Sequence, residues 1–390
     1  MSRAGRARLV LALAIVAALV AAAFWLAGRD GQGGQRVQAR LVALASDAEG
    51  YRRAEGPLPI SFPADHGPHP DYQVEWWYYT GNLETRDGRH LGYQLTFFRR
   101  ALAPPHERVE RESAWAADQA YMAHLAVTDV AGRRFHAFER FARDGAGLAG
   151  ARAQPFAVWL EDWSAEETDD GAVRLRAAQD GVALDLLLAA TRDPVLHGDR
   201  GYSPKGAEPG NASYYYSLTR LESAGSVQVG DRAYQVTGLS WMDHEWSTSS
   251  LGTGQVGWDW FSVQLDDGSA LMAFQLRRED GGIDPYSSGT FVAPDGSARH
   301  LAAGDLQIRA EDTWRSPGTG AVYPARWTFS VPDLALEVEI VPYLAGQELD
   351  LAYAYWEGAV RVEGRRAGQP VAGSGYVELT GYTGSMRGRF

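Results

Sequence analysis

The sequence contains no cysteine and almost no lysine. Without cysteine, the 390 residues cannot form disulfides, thiolate zinc sites, a cysteine nucleophile or a lipidated N-terminal cysteine. The basic residues are mostly arginine, the formal net charge is -12, and the body has no run of Lys and Arg. Duplex nucleic acid needs a basic patch, so we expect no nucleic-acid partner.

The sequence also lacks the motifs of a P-loop, of a serine-hydrolase elbow and of a complete zinc site. The turn-rich segment 198–205 lacks the spacing of a P-loop, and no G-x-S-x-G elbow occurs in the sequence. Asp65, His66 and His69 offer oxygen and nitrogen donors in a proline-rich loop, but a zinc site needs further ligands that the local sequence lacks. We therefore predict no metal and no cofactor, and expect hydrogen bonds between two domains to hold this loop.

The N-terminus carries an export signal. Arg3, Arg6 and Arg8 precede residues 9–28, which contain no charge and would span about 30 Å as a helix. The arginines favour a cytoplasmic N-terminus. An A-x-A site at 21–23 favours cleavage, whereas apolar residues at 24–26 favour a membrane anchor, so both alternatives stay open for residues 1–30. We predict a periplasmic or inner-membrane-anchored protein with its body outside the cytoplasm.

The body has the pattern of an all-β protein. After a linker at 31–56 and an extended proline-rich segment, no stretch shows sustained helical periodicity. The 13 Trp, 18 Tyr and 13 Phe suit pleated, half-buried surfaces. We predict strands in the first half at 74–80, 90–100, 121–129, 156–163, 173–177, 182–190 and 214–221. Several short strands with regular turns indicate a sandwich or a barrel.

The second half of the body repeats the first. The Asp87-Gly88 turn signal recurs at Asp267-Gly268, and the offset is 180 between Gly88 and Gly268. Residues 216–220 are also similar to residues 377–381. A period this long indicates a duplicated domain, and closure into barrels would protect the edge strands. We predict two tandem antiparallel β-barrels, at 57–225 and 226–390, after the N-terminal hydrophobic helix.

Several segments resemble one known family. They are 62–70, 75–83, 198–205, 214–217, 241–246, 257–261, 355–358 and 375–382. They are similar to the carotenoid hydratases (hydroxyneurosporene synthases) and to the larger AttH-like group of lipocalin-type "predicted secreted hydrolases". The resemblance implies two lipocalin-like barrels in tandem and is closer to the uncharacterised secreted branch than to the hydratases. The resemblance therefore predicts the fold of this chain better than its activity.

The densest group of titratable residues is Asp243-His244-Glu245-Trp246. It follows the strand-like segment 234–241, so we expect it at a strand end where a barrel opens. A carboxyl beside a Trp in an apolar cavity has a raised pKa and can donate a proton near neutral pH. In a catalytic interpretation, which the resemblance to the hydratases also supports, Asp243 donates the proton, His244 or Glu245 positions water, and Asp259 is the reserve acid. The alternative is a structural network that caps the barrel.

Aromatic side chains could shelter a cation in the same cavity, which should have a volume of about 300 Å³ or more. The predicted ligand-binding residues are Trp241, Trp246, Trp258, Trp260, Glu75, Trp77 and Tyr79. Strand alternation places Asp259 opposite Trp258 and Trp260, so either the carboxyl or the two rings face the cavity. We also expect a buried ion pair between Glu75 and Arg99 or Arg100.

Two functions remain open on sequence alone. The first is binding or modification of an apolar, lipid- or isoprenoid-like small molecule, with acid-catalysed hydration or isomerisation as the chemistry. The second is a non-catalytic lipid-binding accessory protein of an ABC-type export system.

Overall fold

The structure is a computed structural model that describes residues 48–108, 112–249 and 251–387. The predicted helix at 9–28 lies outside the described residues. Within these ranges the regular structure is almost entirely antiparallel strand, which confirms the predicted all-β fold. No helix in the described part of the chain is long and apolar enough to cross a membrane.

Thirteen strands of the described residues form the first sheet. They are β1 (Val74–Thr85), β2 (His90–Ala101), β3 (Gln119–Asp129), β4 (Arg134–Arg143), β5 (Ala149–Arg152), β6 (Ala157–Leu160), β7 (Trp163–Glu167), β8 (Val173–Gln179), β9 (Val182–Ala190), β10 (Val195–Leu196), β11 (Tyr202–Pro204), β12 (Ala212–Val229) and β13 (Arg232–Ser247). Their order is β4-β3-β2-β1-β13-β12-β9-β8-β7-β6-β5, and β10 and β11 pair with β12. The end strands β4 and β5 contact each other, so the sheet curls into a barrel.

Ten further strands of the described residues form the second sheet. They are β14 (Gln255–Leu265), β15 (Ala270–Arg278), β16 (Ser288–Val292), β17 (Ala298–Ala302), β18 (Gln307–Arg315), β19 (Val322–Val331), β20 (Leu336–Pro342), β21 (Glu348–Asp350), β22 (Ala354–Arg366) and β23 (Gln369–Leu379). Their order is β17-β16-β15-β14-β23-β22-β20-β19-β18, and β21 pairs with β22. Single-turn 3₁₀-helices lie at Ala64–His66, Pro105–Glu107, Gly145–Gly147, Ala303–Asp305 and Pro332–Leu334.

The second sheet repeats the strand order of the first as far as β7, and the first sheet continues with β6 and β5. Strands β14 and β15 occupy the places of β1 and β2, and β23 occupies the place of β13. The two predicted hairpin turns are present, with Gly88 and Gly268 at φ of 81° and 84°, a conformation that favours glycine. The second pair of similar segments is not equivalent, however, because residues 216–220 lie on β12, whose counterpart is β22, whereas 377–379 lie on β23.

The change from one sheet to the other falls after Ser247. Strand β13 pairs with β1 and β12, so residues 232–247 belong to the first sheet, although the sequence assigned them to the second domain. The sequence pattern is interrupted near 222–232 because β12 and β13 form a tight hairpin there, not because a domain ends. Residues 156–163 also differ from the prediction. They form two strands, because Glu161 adopts a φ of 56° and turns the chain.

Three apolar layers hold the body together. One fills the first barrel, one fills the second, and the third lies between the sheets. Strand β1 packs against β23 in the third layer, and β2 and β3 pack against β22. Hydrogen bonds cross this layer, for example from Asn82 Nδ2 to the Gly375 carbonyl at 2.9 Å. The two barrels therefore share a buried interface, in which outward-facing side chains of one barrel contact those of the other.

Candidate functional site

Strand alternation divides the densest titratable motif between two compartments. Trp241, Asp243 and Glu245 point from β13 into the layer between the sheets, and His244 and Trp246 point into the first barrel. The motif forms the last part of β13, which ends at Ser247, so it lies within the strand at its end and does not follow it. The three ionisable side chains therefore belong to two sites.

The first site is a pocket between the two sheets. It encloses about 770 Å³ of space free of protein atoms, part of it open to solvent. Aromatic rings narrow the enclosed part to a cavity volume of about 70 Å³, which is less than the volume predicted for a ligand cavity. The aromatic lining residues are Trp76, Tyr78, Phe98, Tyr215, Trp258, Trp260 and Phe274, and the charged ones are Lys205, Asp243, Glu245 and Glu378.

Each sheet contributes the same pair of side chains to this pocket. Trp76 on β1 lies directly across from Glu245 on β13, and Trp260 on β14 lies directly across from Glu378 on β23. All four side chains line the pocket. The repeat that duplicates the fold thus also places two carboxyls and two indoles face to face in one cavity.

Asp243 is held by three hydrogen-bond donors. Tyr215 Oη donates to one carboxyl oxygen at 2.5 Å, while Ser217 Oγ and Trp241 Nε1 donate to the other, the indole at 2.6 Å. Burial raises the pKa of Asp243 to about 7, although these three hydrogen bonds act in the opposite direction. Its position in the pocket agrees with the sequence interpretation, whose catalytic role for Asp243 stays a prediction.

Glu378 is the less constrained carboxyl of the pocket. It accepts one hydrogen bond, from Trp258 Nε1 at 2.7 Å. Burial raises the pKa of Glu378 to about 8, and the nearby carboxyls of Asp243 and Glu245 add to the shift. Glu357, directly across from it on β22, is fully buried and its pKa also lies well above the ordinary value, because of burial and the nearness of Glu378. Glu378 and Glu357 therefore keep their protons at neutral pH.

One cation faces these acids. Lys205 is the single lysine of the sequence. Its Nζ lies 3.3 Å from Glu245 Oε1 and 3.9 Å from the centre of the Phe274 ring. One ammonium group compensates one carboxylate, so Glu245 is the acid of the pocket with a charged partner.

The second site is a hydrogen-bonded cluster around Glu75 at one end of the first barrel. Arg99 Nε donates to Glu75 Oε2 at 2.7 Å, which is the predicted ion pair, and both side chains are buried. His69 Nδ1 and His244 Nε2 lie 2.7 and 2.8 Å from Glu75 Oε1. Burial alone would raise the pKa of Glu75, but Arg99 and the histidines hold it well below the ordinary value.

The histidines of this cluster have opposite shifts. Burial lowers the pKa of His244 to about 4 despite its hydrogen bond to Glu75. The pKa of His69 is raised, because Glu75 and Asp65 together outweigh the effect of its burial. His69 also stacks on Trp246, with ring centroids 3.7 Å apart. The loop that carries His69 is therefore held within the first barrel, not between the barrels as predicted.

Several predicted site residues lie away from the pocket. Asp259 points to the opposite face of β14, where it pairs with Arg277 at 2.9 Å and accepts hydrogen bonds from Tyr382. Successive side chains of β14 point to opposite faces, so the two tryptophans and Asp259 cannot all face the cavity. Trp258 and Trp260 face it, and the Asp259 carboxyl does not. The remaining predicted residues that lie inside the first barrel are Glu75, Trp77, Tyr79, His244 and Trp246.

The sequence interpretation missed other residues of the pocket, notably Glu378, Lys205, Tyr215 and Trp76. Three signals were available. Lys205 is the single lysine, and Glu378 lies in one of the segments that resemble the family. Trp76 could have been found from alternation, because it has the opposite orientation to Glu75 on β1.

Comparison with known proteins places these sites in a family context. The AttH-like family model matches residues 53–382. An AttH-like protein of Nitrosomonas europaea is 36% identical, with a TM-score of 0.74 over 85% of this chain and 99% of that one. Kievitone hydratase of Nectria haematococca is 14% identical, with a TM-score of 0.65 over 86% and 98% of the two chains. CghA, solved with Sch210972, is 14% identical with a TM-score of 0.50, over 85% and 96%. No curated protein matches the sequence.

Proposed function

This chain belongs to the AttH-like family of two-barrel, lipocalin-like proteins, and we propose that it catalyses acid-dependent hydration or isomerisation of an apolar, unsaturated small molecule in the pocket between its barrels. The observation that carries the proposal is the position of Glu378. This carboxyl has a pKa of about 8 and lines an aromatic pocket, so it keeps a transferable proton at neutral pH.

The pocket supplies the parts that alkene hydration needs. Glu378 gives its proton to one carbon of a double bond, and the positive charge that forms on the other carbon lies against indole faces such as those of Trp258 and Trp260. A water molecule adds to the cation and loses one proton, which a carboxylate accepts. If a neighbouring carbon loses the proton instead, the product is an isomer. In both reactions the proton count of the protein is restored.

The distribution of hydrogen bonds distinguishes the two carboxyls. Three donors fix Asp243 and favour its ionised form, whereas one donor contacts Glu378. We therefore assign proton donation to Glu378 and acceptance of a proton from water to Asp243. This differs from the sequence interpretation, in which Asp243 was the donor and Glu378 had no role.

One structural neighbour of this chain has a name that matches the proposed reaction class. Kievitone hydratase shares the two-barrel architecture and is named for a hydration. At 14% identity it supports the fold alone, so the chemistry rests on the pocket of this chain.

The decisive experiment starts from bound compounds. Solvent extraction of the purified full-length protein and mass spectrometry identify what it carries, and that compound is then incubated with the protein in ¹⁸O-labelled water. We expect a product heavier by one labelled water molecule, or an isomer of unchanged mass. Glu378→Gln should retain the compound and lose turnover, while the surface control Glu339→Gln retains both.

Other outcomes have a clear meaning. Full turnover by Glu378→Gln would remove the acid role of that residue. A compound bound equally by both variants and never converted would favour the non-catalytic, lipid-binding accessory function over an enzyme.

We further propose that the protein works outside the cytoplasm. The arginines at 3, 6 and 8 and the uncharged run at 9–28 support this location. A reporter enzyme that is active only after export, fused to the C-terminus, should be active in cells. Activity of a cytoplasm-restricted reporter at the same position would contradict the proposal.

A further inference from the structure

Three side chains of the first barrel each point one donor atom at a common point. His69 Nδ1, Glu75 Oε1 and His244 Nε2 all lie within 4.8 Å of one another. They come from the loop before β1, from β1 itself and from the adjacent β13. The strand pairing, not a local sequence motif, brings them together.

The outer atoms of the same three side chains are also held. His69 Nε2 lies 3.1 Å from Asp65 Oδ1, and His244 Nδ1 lies 3.2 Å from Tyr216 Oη. Glu75 Oε2 accepts hydrogen bonds from Arg99 Nε at 2.7 Å and from the His69 backbone N–H at 2.9 Å. Metal-binding histidines have this arrangement, because an oxygen acceptor on the outer nitrogen orients the ring and fixes its tautomer.

We propose that His69, Glu75 and His244 bind one divalent first-row transition ion. Two imidazole nitrogens and one carboxylate oxygen form a donor set that suits Zn²⁺, Fe²⁺ or Co²⁺ better than Mg²⁺ or Ca²⁺, which prefer all-oxygen ligands. The site is separate from the pocket, because His244 lies on the opposite face of β13 from Asp243 and Glu245, which line the pocket.

The distances are compatible with an ion of this size. First-row ions bind nitrogen and oxygen at about 2.0–2.2 Å, which places neighbouring ligand atoms about 3 Å apart. Glu75 Oε1 lies 2.7 Å from His69 Nδ1 and 2.8 Å from His244 Nε2, and no pair of donor atoms exceeds 4.8 Å. Admitting the ion would lengthen the two contacts of Glu75 Oε1 by a few tenths of an ångström and bring the two histidine nitrogens to a similar spacing. Side-chain exposures of 16% for His69 and 26% for Asp65 show that the site borders solvent, which gives the ion a way in.

The hydrogen-bond network also accepts the proton arrangement that an ion requires. His244 must carry its proton on Nδ1, where it donates to Tyr216 Oη. The Tyr216 hydroxyl then donates to His66 Nδ1, 2.7 Å away. The Nδ1–H of His244 and the hydroxyl of Tyr216 each keep an acceptor, so the ligand form of His244 leaves neither of these donors unpaired.

The second barrel offers an internal comparison. Its equivalent ion pair, Asp259 with Arg277, is completed by the Tyr382 hydroxyl. Among the residues that the structure describes, the cluster in the first barrel is the one that combines three such ligands. The histidines are therefore an addition to a shared ion pair and not a requirement of the fold.

The test uses purified full-length protein that has been treated with a chelator and then given Zn²⁺ or Co²⁺. We expect one ion per chain by elemental analysis, and visible Co²⁺ ligand-field bands. His244→Asn and His69→Asn should lose the ion. Asp65→Asn should bind about 10- to 100-fold more weakly, since that residue orients a ligand. His136→Asn, on β4 outside the cluster, is the matched control and should bind like the wild type.

Two results would overturn the proposal. One is wild-type protein with native circular dichroism that binds less than one ion per chain at saturating Zn²⁺. The other is unchanged binding by a folded His69→Asn variant. The His69 side chain is partly exposed and that of His244 is fully buried, so His69→Asn still tests the proposal if His244→Asn fails to fold. Neither result bears on Glu378, so the proposed activity in the pocket stands or fails separately.

Discussion

Glu75 and Glu378 are both surrounded by protein, yet their protons behave in opposite ways. The pKa of Glu75 lies well below its ordinary value and that of Glu378 is raised to about 8. Burial acts on both in the same direction. The difference is the partner, because Arg99 contacts Glu75 at 2.7 Å and the nearest donor to Glu378 is the neutral indole of Trp258. Charge compensation therefore separates a structural acid from a reactive one in this molecule.

Asp259 falls between these two cases. Burial raises its pKa, and Arg277 and Tyr382 reduce the shift without reversing it. The Arg277 side chain keeps 18% of its surface exposed, whereas that of Arg99 keeps 1%. A guanidinium that shares its charge with water compensates a buried carboxylate less completely.

The largest effect should follow from breaking the compensated pair. Glu75→Gln leaves the Arg99 guanidinium buried without a counter-charge, so we expect unfolding in urea to require about 3–5 kcal/mol less free energy at pH 7. Because the folded-state pKa of Glu75 is lowered, its contribution is present above the unfolded pKa near 4.5 and is lost as the pH falls. Tryptophan fluorescence reports the transition. A loss below about 1 kcal/mol would show that the pair is not compensated as described.

Glu378 should show the opposite pH dependence. Between the unfolded pKa of 4.5 and the folded pKa of about 8 the folded state binds more protons, so the free energy of unfolding falls as the pH rises through this window. In Glu378→Gln the free energy of unfolding should fall by about 2–4 kcal/mol less over this pH range than in the wild type. This figure is smaller than the full pKa shift implies, because the pocket is partly open to solvent. Urea midpoints of both proteins at pH 5 and pH 9 measure the difference. Parallel pH profiles would contradict the raised pKa.

A smaller effect is expected from removing the neutral hydrogen-bond donor of Glu378, the indole of Trp258. Trp258→Phe removes the N–H that donates to Glu378, a hydrogen bond that favours the ionised carboxyl. We expect the pKa of Glu378 to rise further by less than about one unit, equivalent to about 1 kcal/mol. The infrared band of the protonated carboxyl, followed against pH, reports this shift. Trp260→Phe is the matched control, because Trp260 donates to Tyr215 instead.

The smallest effect is expected at an exposed pair with comparable geometry. Arg174 Nε and Nη2 both donate to Asp185 at 2.7 Å, but the two side chains are 42% and 45% exposed. Arg174→Ala should change the free energy of unfolding by about 0–1 kcal/mol, since solvent screens the charges. A loss as large as that of Glu75→Gln would mean that burial does not explain the large contribution of the Glu75–Arg99 pair to the free energy of unfolding.

Sequence patterns were sufficient for the fold because they are local and repeated. The hairpin turns at Gly88 and Gly268 and the ion pair between Glu75 and Arg99 follow from turn chemistry and from neighbouring strands. The domain boundary did not follow, because the long β12–β13 hairpin has the same break in apolar pattern as a linker.

The pocket was predictable only in part. Alternation along β13 was recognised, but the sequence does not show which face turns to the barrel interior and which to the neighbouring barrel. His244 was therefore grouped with Asp243, although the two side chains lie in different compartments. Glu378 comes from a strand more than a hundred residues away. Its nearness to Asp243 depends on how two barrels pack, which no periodicity in one chain segment encodes.

The single lysine of the chain has a practical consequence. Amine-reactive reagents have two kinds of target in a protein, lysine side chains and the α-amino terminus, and here the one side-chain target is Lys205 at the wall of the pocket. A mild acylating or reductive-alkylating reagent would thus report pocket occupancy by mass alone, without an engineered label. A compound that fills the pocket should protect Lys205, and a screen for ligands could be read from that protection before any reaction is known.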